Sequence, residues 1–201
     1  MTVCIQPIVI VGLTALHGAG KGTMSELLIS QGFRHFSARH DVLWPEVDRR
    51  QLPRDRDSLH LIANSFRQER GAEYVTRTLV EKALDSGTNA VVESFYTVRE
   101  IAHAKAAAAR LKVTFLLVAV EADREIRYAR IQARASETDR VSFEEFCAKE
   151  QREVASSDPA QHNLHACREL ADLVVLNNGT VDQFHRHTKA RLEPFNIHLQ
   201  V

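Results

Sequence analysis

Apolar residues along this chain fall into two kinds of block that alternate: short continuous runs, and longer stretches at helical spacing. Residues 8–11, with Leu13 beyond Gly12, form a continuous run that suits a strand covered on both faces, as in a parallel sheet. From Thr23 the spacing lengthens. Met24, Leu27 and Leu28 share a helical face until Gly32 ends it. The pattern predicts a second strand at 33–36 and a third at 89–93, with helices at 59–71 and 72–86 between them. Residues 48–57 are charged and carry Pro53, which predicts a mobile loop with Asp57 or Ser58 capping the helix that follows. An alanine-rich helix is expected at 98–110, a central strand at 113–120 and an arginine-bearing helix after Asp123. Ser142 and Glu145 read as the capping box of a helix running to about 155, and residues 158–167 as a loop or short helix. A last strand is expected at 172–176, and Thr180 should cap a final helix to about 192. Strands alternating with helices predict a three-layer α/β fold around five parallel strands.

Composition narrows the classes of function. With 201 residues and 44% hydrophobic content, the chain can bury a core as a single domain spanning 1–201. Formal net charge is zero, so no long-range field steers it to nucleic acid or an anionic membrane, and neither partner is expected. Cys4, Cys147 and Cys167 are widely spaced and match no metal pattern, which favours a reducing compartment. The first residues have neither the basic start nor the apolar core of a signal peptide, and no run approaches membrane-spanning length. A cytoplasmic location is the expectation. His162 and His165 lack a second ligand pair, so zinc is not expected.

The chemistry concentrates between the first strand and first helix, at His17, Gly18, Ala19, Gly20, Lys21, Gly22 and Thr23. Glycines let successive backbone N–H groups curl inward, and a helix N-terminus adds partial positive charge, so the loop can cradle phosphate. Lys21 would reach the β- and γ-phosphates of ATP, and Thr23 would bind Mg²⁺. The pattern departs from a strict phosphate-loop motif at Ala15, where a glycine belongs, and at Gly22, which displaces the hydroxyl to Thr23. The ending Gly20-Lys21-Gly22-Thr23 resembles adenylate kinases and related nucleoside monophosphate kinases; the opening Gly12-Leu13-Thr14 resembles dephospho-coenzyme A kinases. Both resemblances imply strand order 2-3-1-4-5.

Further segments carry the resemblance along the chain. His35, Ser37, Asp41 and Leu43 match the nucleoside monophosphate kinase stretch H-x-S-T-G-D-L-L if one residue is inserted around Arg39. Dephospho-coenzyme A kinases have an Asp-Ala-Asp there, where this chain has Ser37 and Arg39. Asp41 reads either as a base or as an ordinary helix N-cap. Residues 38–86 are expected to form the acceptor lobe, with Asn64 and Arg67 three apart on one side and Arg39, Arg54, Arg56 and Arg67 as a cationic rim. Glu93, at the tip of the third strand, would orient the water shell of Mg²⁺ or take a proton from the acceptor. Tyr96 replaces the arginine of the relatives' Asp-Gly-φ-Arg, and Arg99 is a possible substitute. Arg127, Arg130 and Arg134 fall on one helix face, which predicts a short lid at 127–142 whose Arg130 and Arg134 neutralise the transferring group. The resemblance also places Asn178 and Gly179 against the nucleotide base.

These readings converge on a Mg²⁺-ATP-dependent phosphotransferase with a small nucleotide-like acceptor: a nucleoside monophosphate first, dephospho-coenzyme A second. A regulatory nucleotide-binding module with little turnover is the alternative from a different class. Oligomeric state is left open.

Overall fold

A computed structural model of the chain describes residues 8–134, 142–154 and 162–200. β1 (Val9–Ala15) runs through the glycine loop into α1 (Lys21–Ser30), followed by β2 (Arg34–Phe36), a π-helical turn (Ala38–Leu43) and α2 (Trp44–Arg49). Next come α3 (Arg56–Arg70), α4 (Tyr74–Asp85), β3 (Ala90–Glu93), α5 (Val98–Arg110) and β4 (Thr114–Glu121). α6 (Arg124–Arg134), α7 (Phe143–Val154), α8 (Leu164–Glu169), β5 (Leu173–Leu176) and α9 (Val181–Leu192) complete the succession. All strands pair in parallel in one sheet of order β2-β3-β1-β4-β5, the order the kinase resemblance implied.

Alternation along β1 divides the core. Val9, Val11 and Leu13 pack with Met24 and Leu28 of α1 and Phe184 and Leu192 of α9. Ile10 points the other way, among Leu79 and Ala83 of α4 and Ile101 and Ala104 of α5. Both faces are therefore covered, which is why β1 reads as a continuous apolar run. No helix among the described residues is long and apolar enough to cross a membrane.

Two stretches differ from the sequence reading. Residues 44–49, within and before the expected loop, are helical, started by Pro45 in the first turn. The charged residues beyond them are fastened down: Arg54 forks onto Asp48 and lies over the Trp44 ring. The cap of α3 is Asp55, whose carboxylate accepts from the Ser58 amide, so neither Asp57 nor Ser58 caps that helix. The capping box at Ser142–Glu145 forms as the spacing predicts, and Thr180 caps α9 as expected, there through a capping box with Gln183.

The position around Arg39, where the motif match needs an inserted residue, lies in the π-helical turn. A π-turn accommodates one more residue than an α-turn. Here it starts with a stretched capping box, in which Ser37 Oγ accepts from the His40 amide and Asp41 accepts at 2.7 Å from the Ser37 amide.

Candidate nucleotide-binding site and acceptor pocket

The loop between β1 and α1 lines a cavity of about 920 Å³ that reaches from His17 to Glu26 and is closed opposite by Arg39, Tyr96, Arg130 and Arg134. Gly18 and Gly20 both hold left-handed φ, +82° and +108°, which any side chain would strain. They are also tightly packed. A Cβ on Gly18 would come within 2.7 Å of the Arg127 carbonyl oxygen, and one on Gly20 within 2.1 Å of Asn177 Nδ2. The Gly18 contact is with backbone, which cannot step aside. Gly18→Ala is expected to weaken nucleotide binding at least about tenfold and to lower the melting temperature, because strain of about 1–2 kcal/mol adds to the collision. A thermal melt and ATP titration of the variant check this.

Lys21 does not point freely into solvent. Its ammonium donates to Ser94 Oγ at 2.8 Å and Tyr96 Oη at 3.2 Å and stands 3.8 Å from Glu93 Oε2. These partners meet because the chain leaves β3 sharply. Ser94 adopts φ +79°, and the Ser94 and Phe95 amides both donate to the Leu13 carbonyl of β1. A serine in that conformation holds strain of about 1–3 kcal/mol, kept only where the surroundings fix it. The tight turn brings the tip of β3 beside the phosphate loop.

A second pocket, about 120 Å³, lies on the far side of that junction, between the π-turn, α3, α4 and the start of α5. Tyr96 and His162 line both cavities, and Glu93, Ser94, Arg67 and Glu100 stand in the wall of the smaller one. Tyr96 is stacked on His162 with ring centroids 4.7 Å apart. The His162 imidazole is held below its ordinary pKa by burial and by the nearby Arg67 charge, which favours the neutral ring. Glu100 is buried and accepts from the Tyr96 and Thr97 amides and the Thr76 hydroxyl; burial nonetheless keeps its pKa raised.

On the opposite wall α6 divides its arginines. Arg127 turns inward, buried, and pairs with Glu150 of α7 while donating to the Ala122 and His17 carbonyls. This corrects the expectation of three arginines facing one anion. The row is split because the first member is one helical turn too close to the sheet. Arg130 and Arg134 do line the phosphate-loop cavity. Arg130 Nη2 donates weakly to Asn177 Oδ1 and the Gly179 carbonyl, while its buried Nη1 has no hydrogen-bond partner among the described residues.

The structure gathers some candidates and disperses others. Lys21, Thr23, Arg39, Tyr96, Arg130 and Arg134 border the larger cavity, and Glu93 and Arg67 border the smaller pocket. Asn64 accepts from Arg67 on the exposed side of α3. Ser37 is buried and acts as a cap, and Asp41 bonds back to it. Arg54 is occupied by Asp48, which removes it from the rim, and Arg99 is exposed on α5. Asn178 accepts from the Asp123 amide, and the residue that ties β5 to the phosphate loop is Asn177, donating to the Ala19 carbonyl at 2.8 Å. The lid tip, 135–141, and residues 158–161 lie outside the described residues. Sequence reasoning missed His35 as a site residue. It stands on β2 with Nε2 3.2 Å from Glu93 Oε1, a pairing that only the β2–β3 register reveals.

A parallel sheet of order 2-3-1-4-5, with a phosphate loop after its central strand, defines the P-loop kinase fold. The chain belongs to the AAA domain family, whose model matches residues 11–157. It is 26% identical over 191 residues to a UPF0200 protein of Thermococcus sibiricus, covering 94% of this chain and 96% of that one. Among solved structures it resembles TT1252 from Thermus thermophilus, with TM-score 0.53, 24% identity and coverage of 94% and 98%. It also resembles shikimate kinase from Acinetobacter baumannii in complex with shikimate, with TM-score 0.56, 13% identity and coverage of 94% and 95%.

Proposed function

We propose that the protein is a Mg²⁺-ATP-dependent phosphotransferase for a small nucleotide-like acceptor, with nucleoside monophosphates preferred and dephospho-coenzyme A second. The observation that carries this reading is the meeting of Lys21 with Glu93, Ser94 and Tyr96 where the phosphate-loop cavity adjoins the acceptor pocket. A donor phosphate held by the loop amides would stand beside the attacking oxygen of an acceptor in the smaller pocket, a phosphate oxygen of a nucleoside monophosphate or a hydroxyl of dephospho-coenzyme A, the in-line arrangement that phosphoryl transfer requires.

Lys21 would then exchange its Ser94 and Tyr96 bonds for phosphate oxygens. Arg130, one of whose guanidinium nitrogens has no partner among the described residues, and Arg134 would stabilise the equatorial oxygens of the transferring group. Ser37 is buried, so its contribution to the acceptor lobe is to fix the π-turn that carries Arg39 and Asp41. Among the described side chains of the expected rim, Arg39 and Arg67 border the two cavities and would hold an acceptor's anionic end, and Asn64 orients Arg67. Glu93 stands in the acceptor wall, which favours the role of base over that of orienting the water shell of Mg²⁺.

The donor set fits Mg²⁺. A threonine hydroxyl in the first turn of α1, beside a loop suited to phosphate oxygens, is the oxygen environment this ion takes. Thr23 would hold the ion, which when bound neutralises charge on the β- and γ-phosphates.

The small volume of the acceptor pocket favours a second reading, a compact hydroxylated acid such as the shikimate bound by the similar kinase. One assay separates them: coupled ADP release with Mg²⁺-ATP over ribo- and deoxynucleoside monophosphates, dephospho-coenzyme A and shikimate. Release stimulated by a nucleoside monophosphate is the expected result. Stimulation by shikimate alone moves the acceptor class. Nucleotide binding with no stimulation by any of them contradicts the phosphotransferase reading and favours a regulatory module.

A further inference from the structure

The main chain of Tyr96 is fastened on both sides. Its amide donates to Glu100 Oε2 at 2.8 Å, at the start of α5, and its carbonyl accepts from the Asn163 amide at 2.9 Å. These bonds fix the backbone but leave the side chain its turn about Cα–Cβ. The ring is fixed instead by His162, which lies against it with centroids 4.7 Å apart and planes 24° from parallel. His162 is placed in turn by α8. Asn163 caps that helix by accepting from the Ala166 amide, and buried Leu164 and Cys167 anchor it to the core.

Tyr96 and His162 both line the phosphate-loop cavity and the smaller pocket, so the stack is a wall common to donor and acceptor. On the donor side the Tyr96 hydroxyl accepts from Lys21 at 3.2 Å, and the ammonium lies 5.4 Å from the ring centroid. A phenol that accepts a hydrogen bond in the resting site also has a proton with which to donate one.

We propose that His162 is a positioning residue for phosphoryl transfer: by stacking on Tyr96 it holds that ring so that the phenol hydroxyl, once Lys21 turns to phosphate, donates a hydrogen bond to the transferring group. This rests on the phosphotransferase reading above. In the step, an attacking phosphate oxygen of a nucleoside monophosphate bonds the γ-phosphorus of ATP. The bond from that phosphorus to the β,γ-bridging oxygen breaks, and its electron pair leaves with ADP. Tyr96 keeps its proton throughout. It contributes a donor from the wall where the two substrates meet, beside the arginines that approach from α6.

The task suits an uncharged ring. Burial and the Arg67 charge hold His162 below its ordinary pKa, so near neutrality it adds no charge to the wall. The ring acts through its face, and phenylalanine should therefore serve in its place.

The test is a double-mutant cycle on kcat and KM, with Mg²⁺-ATP and AMP or whichever acceptor of the panel gives turnover. It compares wild type, Tyr96→Phe, His162→Ala, His162→Phe and the double variant Tyr96→Phe/His162→Ala. Tyr96→Phe keeps the stack and removes the hydroxyl, and should lower kcat about 10- to 100-fold, the loss of one hydrogen bond to a charged group. His162→Ala should lower kcat about threefold to tenfold, the share of aligned Tyr96 that an aromatic stack secures. KM for ATP should change less than about twofold in both, because the loop amides hold the donor. His162→Phe should restore most of the rate. In the Tyr96→Phe background His162→Ala should have no further effect, because a residue that acts through the hydroxyl has nothing left to position.

The same loss from His162→Ala in both backgrounds, or a His162→Phe variant as slow as His162→Ala, overturns the proposal, since either is the behaviour of a merely structural side chain. Wild-type turnover that His162→Ala leaves unchanged overturns it too. Absence of acceptor-dependent ADP release in the wild type is a separate result, and it overturns the phosphotransferase reading together with the proposal built on it.

Discussion

Lys21→Ala should lower acceptor-dependent kcat/KM by about 100- to 1,000-fold while leaving the protein folded, the loss typical of removing one preorganised donor from a developing negative charge. Two observations separate the effects on activity and stability. The ammonium is aimed at the junction of the two cavities by Ser94 and Tyr96, so its removal acts where the phosphate would transfer. Its ion pair with Glu93 is partly exposed, and pairs of that kind contribute no more than about 1 kcal/mol. A variant with wild-type melting and almost no turnover is the expected result, read by calorimetry and the ADP-release assay together. Wild-type turnover in Lys21→Ala would refute the role given to the loop.

Glu150→Gln should be the most destabilising single-atom exchange around the site. The Arg127 guanidinium is buried, lies over the Phe146 ring and finds its counter-charge in Glu150. Arg124 shares the same carboxylate at 3.0 Å. Burial alone would raise the Glu150 pKa, yet the two arginines outweigh it and hold the carboxyl below its ordinary value. Removing one charge from a buried pair costs about 3–5 kcal/mol, because the remaining ion has lost its solvent without gaining a partner. For a chain of this size the lower end corresponds to a fall of roughly 6–12 °C in melting temperature. The loss should reach the phosphate loop as well, since Arg127 donates to the His17 carbonyl and its backbone packs on Gly18. A weaker affinity for ATP should accompany the lower melting temperature. The double variant Arg127→Met/Glu150→Leu, which removes both charges, should recover much of the stability.

The same ion pair shows where sequence reasoning stopped. Spacing put Arg127, Arg130 and Arg134 on one face, and helical geometry alone offers no reason to separate them. What separates them is tertiary. α7 brings Glu150 against the inner end of α6, where the chain enters from β4, and only the outer two arginines reach the cavity. The sheet was legible because its strands are buried on both faces and carry continuous apolar runs, and its order followed from the resemblance carried by Gly20-Lys21-Gly22-Thr23. The phosphate loop was legible because its glycines have few other uses. The expected loop at 48–57 was drawn too long at both ends, since 48–49 belong to α2 and 56–57 to α3, because charge and proline suggest a loop when ion pairs are not visible in sequence. The tie from Asn177 to the phosphate loop was not legible because two adjacent asparagines differ only by which way β5 turns them. His35 was read only as a motif match, because its approach to Glu93 comes from a neighbouring strand far away in the chain.

The measurement that tests the central claim most directly is the fate of a labelled γ-phosphate from Mg²⁺-ATP incubated with the protein and the acceptor panel. Label recovered covalently on an acceptor, in amounts equal to the ADP formed and absent with Lys21→Ala, is the result a phosphotransferase predicts. Label that stays on ATP, or appears only as inorganic phosphate whatever acceptor is added, would contradict it.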